Sequence, residues 1–190
     1  MFNNNEWLEQ VSEAVIDPER DILDPHHHLW PQASMGYNID ELLADTSDGH
    51  AVSQTVFMEC GAAYRKEGAD FLRCVGETAF VAQAASIARA QKAPTQIAGI
   101  VAHADLRLTE LDDVLDAHEE AAEGLFRGIR HAGASAGDIE GLAIPGGSDR
   151  NLMSNEAFRA GVARLGERGL TYDTWLYHFQ MNDFVELARA

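Results

Sequence analysis

The stretch Ile22-Leu23-Asp24-Pro25-His26-His27-His28-Leu29-Trp30 decides how this chain is read. It passes from two apolar residues into three consecutive histidines. In a strand over residues 21–26, side chains alternate between faces, so His26 and His28 project together and His27 projects the other way. Imidazole is the commonest metal-ligating side chain and titrates near neutral pH. The pair therefore suits a metal site or a proton-transfer site, whereas a solvated triple histidine would have only adventitious metal affinity. Asp24 is placed either to hold one of these rings from behind or to cap the turn before Pro25. His27 is expected to be structural.

Outward from this stretch, strand and helix patterns alternate. Upstream, Trp7, Leu8, Val11, Val15 and Ile16 recur at helical spacing, which predicts a helical lead-in within about the first 20 residues. Downstream, the pattern predicts a short helix over 39–43 and a strand over 51–60 stopped by Gly61. An Ala-rich helix follows over 77–91 and is broken by Pro94. A third strand and its loop fill 97–106. Thr109 caps a helix over 109–123 that Gly124 ends. The fourth strand is 126–131, and residues 132–151 form a Gly-, Ser- and Asp-rich connection longer than usual. Ser154 opens a helix over 154–168, a fifth strand covers 170–178, and another helix starts at Gln180.

This alternation predicts an α/β fold with a parallel sheet and helices outside it. Polar residues collect at the C-terminal strand ends: His26 and His28, Glu59, Asp105, Arg130 with His131, and His178. Ligands bind at that end both in an α/β barrel and in a doubly wound sheet. Neither GxGxxG nor GxxxxGK[ST] occurs, which removes the usual support for nucleotide binding. Asp105 is expected to cap its loop and His131 to face the helices. Glu59 is either catalytic or hydrogen-bonded to a neighbouring loop. His50, His103 and His118 lack a partner pattern and are set outside the site.

Composition narrows the classes further. The chain has 190 residues, 46% of them hydrophobic, enough for one domain with a core. The formal net charge of -17 disfavours nucleic acid and anionic membranes as partners. No apolar run is long enough to span a bilayer, and the first residues lack a secretory signal pattern. Cys60 and Cys74 have no metal-type spacing and form no disulfide framework, so reduced thiols in a cytoplasmic setting are expected.

Four segments in register resemble the amidohydrolase-related (amidohydrolase 2) family of the amidohydrolase superfamily, which includes lactonases of pyrone dicarboxylates and sugar lactones. They are Asp24 to Trp30, Thr55-Val56-Phe57-Met58-Glu59-Cys60 with Tyr64-Arg65, Phe126-Arg127-Gly128-Ile129-Arg130-His131, and Tyr172-Asp173-Thr174-Trp175-Leu176-Tyr177-His178. The resemblance covers residues 20–190. It implies the first five βα units of a (β/α)8 TIM barrel. It also implies hydrolysis of a lactone or other carboxyl-derived bond in a small, carboxylated substrate. His26, His28 and His178 become the expected catalytic residues and the ligands of one divalent metal, zinc or manganese. Arg130 and Arg127, with Glu59 and Tyr177, become the expected substrate-binding residues.

Two departures from the family pattern bear on this. Arg130 stands where binuclear members of the superfamily carry a bridging lysine, and a guanidinium offers no lone pair to a cation; a mononuclear or metal-independent site is expected. The family's strands six to eight, with a further histidine and an aspartate general base, have no counterpart here. The chain is therefore expected to be the N-terminal part of a barrel, which runs to about 250 residues. The competing expectation is a catalytically incomplete barrel whose open edges self-associate, giving a homo-oligomer or an inactive chain.

Overall fold

A computed structural model describes residues 5–8, 10–11, 13–31, 35–136 and 148–189. Five strands form one sheet: β1 (Asp21–His27), β2 (Ala51–Met58), β3 (Gln96–Ala102), β4 (Phe126–Arg130) and β5 (Thr171–Asp173). Their order in the sheet is their order in sequence, and every pair is parallel. Among the described residues the helices are α1 (Asn5–Leu8), α2 (Ile39–Thr46), α3 (Val75–Ala90), α4 (Leu111–Ala121), α5 (Glu156–Glu167) and α6 (Met181–Arg189). Sequential parallel strands with helical crossovers make this a half-barrel, the α/β architecture that the alternation predicts.

The helix faces follow from the sequence. In α4 the buried residues are Leu111, Val114, Leu115 and His118, one stripe of a 3.6-residue period. Their packing partners include Phe126, whose ring stacks on His118 at 5.5 Å. Phe126 therefore faces the helices, and its neighbour Arg127 faces the open side of the sheet. Gly99 and Val56 share that side: a Cβ on Gly99 would lie 3.0 Å from Arg127 Cγ and 3.6 Å from Val56 Cγ1. The core between sheet and helices is built on Phe57, Ile100, Leu115, Ile129, Phe158 and Leu165. In α5 the third buried position is Gly161, where any Cβ would collide with the Leu106 carbonyl.

Several predicted boundaries shift. The lead-in helix shrinks to α1, and residues 10, 11 and 13–16 are not helical; Val11 and Ile16 are exposed, so no packed face supports a longer helix. The cap of α5 is Asn155, whose side chain accepts from Phe158 N–H, and not Ser154. Thr109 donates to Glu110 rather than capping α4. The fifth strand stops at Asp173, five residues before His178. Of the connection 132–151, residues 137–147 lie outside the described residues. Its flanks are pinned by Ser148 N–H to Ala134 O at 2.8 Å, and by Gln180, which bonds Gly133 O and Ser135 N–H.

Candidate functional site

His26 and His28 stand at the C-terminal end of β1, as the alternation predicts. Asp24 accepts the His26 N–H at 3.0 Å and so shapes the turn. The two Nε2 atoms are 3.3 Å apart. His28 Nδ1 lies 2.8 Å from Met58 O. A carbonyl only accepts, so Nδ1 carries a proton and Nε2 is the ring nitrogen with a lone pair to offer. Burial, then His28, then Arg130 lower the pKa of His26. His27 is buried on the other face, its ring edge-on to Phe57 at 5.7 Å; burial drops its pKa to about 4, in keeping with a structural, neutral ring.

Arg130, at the end of β4, meets Glu59, at the end of β2. Arg130 Nε donates to Glu59 Oε1 at 2.7 Å and Nη2 donates to the Glu59 carbonyl. Both side chains are mostly buried, 16% and 14% exposed, so the pair is only weakly screened. Three of the five guanidinium N–H donors remain for other acceptors. Beside this pair opens a cleft of about 490 Å³, lined also by His103, Arg107, His131, Tyr64 and Trp175. Arg107 is gripped by Asp105 through Nε at 2.9 Å and Nη2 at 2.7 Å. Asp105 also accepts the Arg107 N–H, the loop-capping role expected of it.

Other predicted residues lie elsewhere. Arg127 sits at the opposite end of β4. It spends its guanidinium on the carbonyls of Gly124, Phe126 and Ala98 and lines a separate cleft with Arg168. A step of three residues along the strand, about 10 Å, puts Arg127 and Arg130 at different ends of the sheet. His178 is exposed in a 3₁₀ turn (His178–Gln180), against the Phe179 ring at 5.5 Å. It is carried out of the sheet because the chain leaves β5 at Asp173. Tyr177 stacks on Phe179 at 5.2 Å in the same turn. Among the described residues, no three of His, Cys, Asp and Glu gather closely enough to hold a metal ion.

Sequence reasoning set aside His103 and His131, yet both line the cleft. His103 Nδ1 lies 3.1 Å from Arg130 O. His131 Nδ1 accepts from Leu106 N–H at 3.3 Å, and burial lowers its pKa to about 4. Asp173, paired in register with Arg130, was also missed; it acts electrostatically on His26. The signal available was position: each follows directly from, or ends, a strand. Cys60 lines the cleft too, but burial and then the Glu77 charge push its thiol up to about 12, which disqualifies it as a nucleophile.

No protein-family model matches the chain. A curated protein of Sinorhizobium fredii, the uncharacterized protein y4mH, is 30% identical over 190 aligned residues, covering 88% of this chain and 58% of that protein. Two crystal structures of an amidohydrolase from Burkholderia multivorans share the fold. The one with bound HEPES has a TM-score of 0.57 at 21% identity, and the one with bound zinc 0.56 at 22%. Each alignment covers 88% of this chain and 53% of the other. The chain thus spans little more than half the length of the proteins it matches. The partial TIM barrel expected from the sequence is the fold these structures share with it. Among the described residues no helix is long and apolar enough to cross a membrane.

Proposed function

We propose that this chain is part of an amidohydrolase-type hydrolase that cleaves a lactone or related carboxyl-derived bond in a small carboxylated substrate. The observation that carries this reading is the His26–His28 pair. A tetrahedral zinc with bonds of about 2.0–2.1 Å holds neighbouring imidazole nitrogens about 3.3 Å apart, and the two Nε2 atoms stand at that separation. The His28 Nδ1–H bond to the Met58 carbonyl is the kind of outer contact that fixes a ligand's tautomer. The residues present therefore fit two corners of a zinc or manganese site, with the other positions left for water and substrate. The zinc-bound state of the Burkholderia amidohydrolase supports the same reading.

What a divalent ion would supply there is a lower pKa for water and polarisation of a carbonyl. The chain's own groups do the rest. His28 keeps its proton on Nδ1 and its lone pair toward the site. His26, its pKa lowered by burial, His28 and Arg130, turns its own Nε2 to the same point. Arg130, held by Glu59, offers its free donors to a substrate carboxylate, and Trp175 and Tyr64 wall the cleft.

The test is hydrolysis of a panel of carboxylated lactones by the full-length protein with zinc or manganese added. His28→Ala should lower kcat/KM by about 100-fold or more. No turnover across the panel, or a His28→Ala variant equal to the wild type, would sink the proposal.

A second reading rests on the open sheet. Among the described residues β1 and β5 each have a strand neighbour on one side only, and Leu23, Trp175, Phe179 and Met181 are exposed. Such a half-barrel self-associates without turnover. A monomer by light scattering with one cooperative melting transition would contradict it.

A further inference from the structure

The loop between β2 and α3 is held by a buried carboxylate that the proposed chemistry leaves unused. Gly61 has a φ of +75° and Ala63 a φ of +53°. The second is a left-handed conformation that costs a residue with a Cβ about 1 kcal/mol or more. The first turn of α3 lies against this loop. A Cβ on Gly76 would stand 2.5 Å from the Ala63 carbonyl oxygen and 2.7 Å from Arg65 N, so helix and loop touch backbone to backbone. Next in α3 is Glu77, 2% exposed. Its Oε1 accepts from Ala62 N–H at 2.6 Å and from Cys60 N–H at 3.1 Å. Burial pushes its pKa up to about 7. Protonation on the other oxygen would leave Oε1 able to accept both bonds.

The residue before Cys60 is Glu59. Its N–H donates to Val101 O at 2.9 Å, and its carbonyl and carboxylate both accept from Arg130. The peptide that joins Glu59 to Cys60 is therefore held on one side by Arg130 and on the other by Glu77.

We propose that Glu77 is a positioning residue for the cleft: by accepting the Cys60 and Ala62 N–H groups it fixes Glu59, and through Glu59 it aims the Arg130 guanidinium. Its reach as an acceptor, and not its charge, does this work. The assignment concerns the orientation of Arg130 and stands whether or not the hydrolase reading does.

The experiment is solvent exchange of the Arg130 Nε–H in ¹⁵N-labelled protein, the signal being identified by its loss in Arg130→Lys. No turnover is read, so the result is separate from the fate of the hydrolase reading. Glu77→Gln keeps the acceptor at full reach and should exchange within about twofold of the wild type. Glu77→Asp keeps the charge but withdraws the oxygen by one methylene, and should speed exchange about tenfold or more with a folded amide spectrum. Glu77→Ala should match Asp, and if it does not fold the Asp and Gln variants decide. Faster exchange at the Cys60 and Ala62 amides with Arg130 unchanged would make Glu77 a loop clamp only and overturn the proposal. Wild-type exchange at Arg130 in Glu77→Asp would do the same.

Discussion

The middle of this sheet and its edges are built differently. β3 is buried along most of its length, with Ile100, Val101 and Ala102 all close to inaccessible. β1 alternates between exposed and half-buried up to Pro25 and is buried only at His27, and β5 has three residues, none of them buried. The candidate site straddles both regions. The histidine pair stands on the edge strand and is tied to β2 by one bond to Met58 O, whereas Glu59 and Arg130 are locked together over the middle. The difference teaches that the Glu59–Arg130 part of the candidate site is preorganised by the core, while the histidine pair depends on how the β1 edge is completed or covered.

The sharpest way to break that contrast is to cut the middle. Phe158 is inaccessible and packs between the rings of His131 at 5.2 Å and Tyr172 at 5.7 Å. Phe158→Ala should cost about 3–5 kcal/mol in chemical unfolding. Acid should come next. His27, His118 and His131 have folded-state values near 4, below the ordinary 6.5. Their contribution is present above pH 6.5 and is lost as pH falls toward 4. Glu77, raised from 4.5 to about 7, works the other way and weakens the fold as pH rises through that window. Three protons against one leave a net loss of about 2.7 kcal/mol per pH unit between pH 6.5 and 4.5. A stability that is flat or rises on acidification over that range would contradict these burials.

Smaller effects separate the edge from the middle. Glu59→Gln leaves Arg130 with a weaker partner and should cost about 2 kcal/mol, read as a shift of the urea midpoint. Leu23→Ala, on the β1 edge at 51% exposure, should stay within about 0.5 kcal/mol of the wild type. If Leu23→Ala proves as costly as Phe158→Ala, the β1 edge is covered in solution, and the two-region picture gives way to an assembled one.

Much of the fold was legible because the signals were periodic. The stripe of α4, the Ala-rich run of α3 and the apolar strands announced themselves in order. What misled was continuation past a strand's end. The apolar, aromatic run from Leu170 looked like strand to His178, but Gly133 N–H bonds both Thr174 Oγ1 and Trp175 O and draws the chain away from the sheet after Asp173. His178 left the site with it. In the candidate site, His26, His28, Glu59 and Arg130 could be placed together from the sequence because alternation and strand ends position them. Glu77, His103 and Gln180 could not, because their roles lie in long-range bonds to backbone groups that no local pattern encodes.

The order of the strands bears on how the molecule is made. Among the described residues each strand pairs only with the one that precedes or follows it in sequence, so none of these four pairings has to wait for a distant segment. Loop-closure entropy is met one βα unit at a time. Synthesis from the N-terminus delivers the units in the order in which they pair. Assembly can then run along the chain as it is made: β1 and β2 come together first and set the His28 contact to Met58, and Arg130 reaches Glu59 only when the fourth strand arrives.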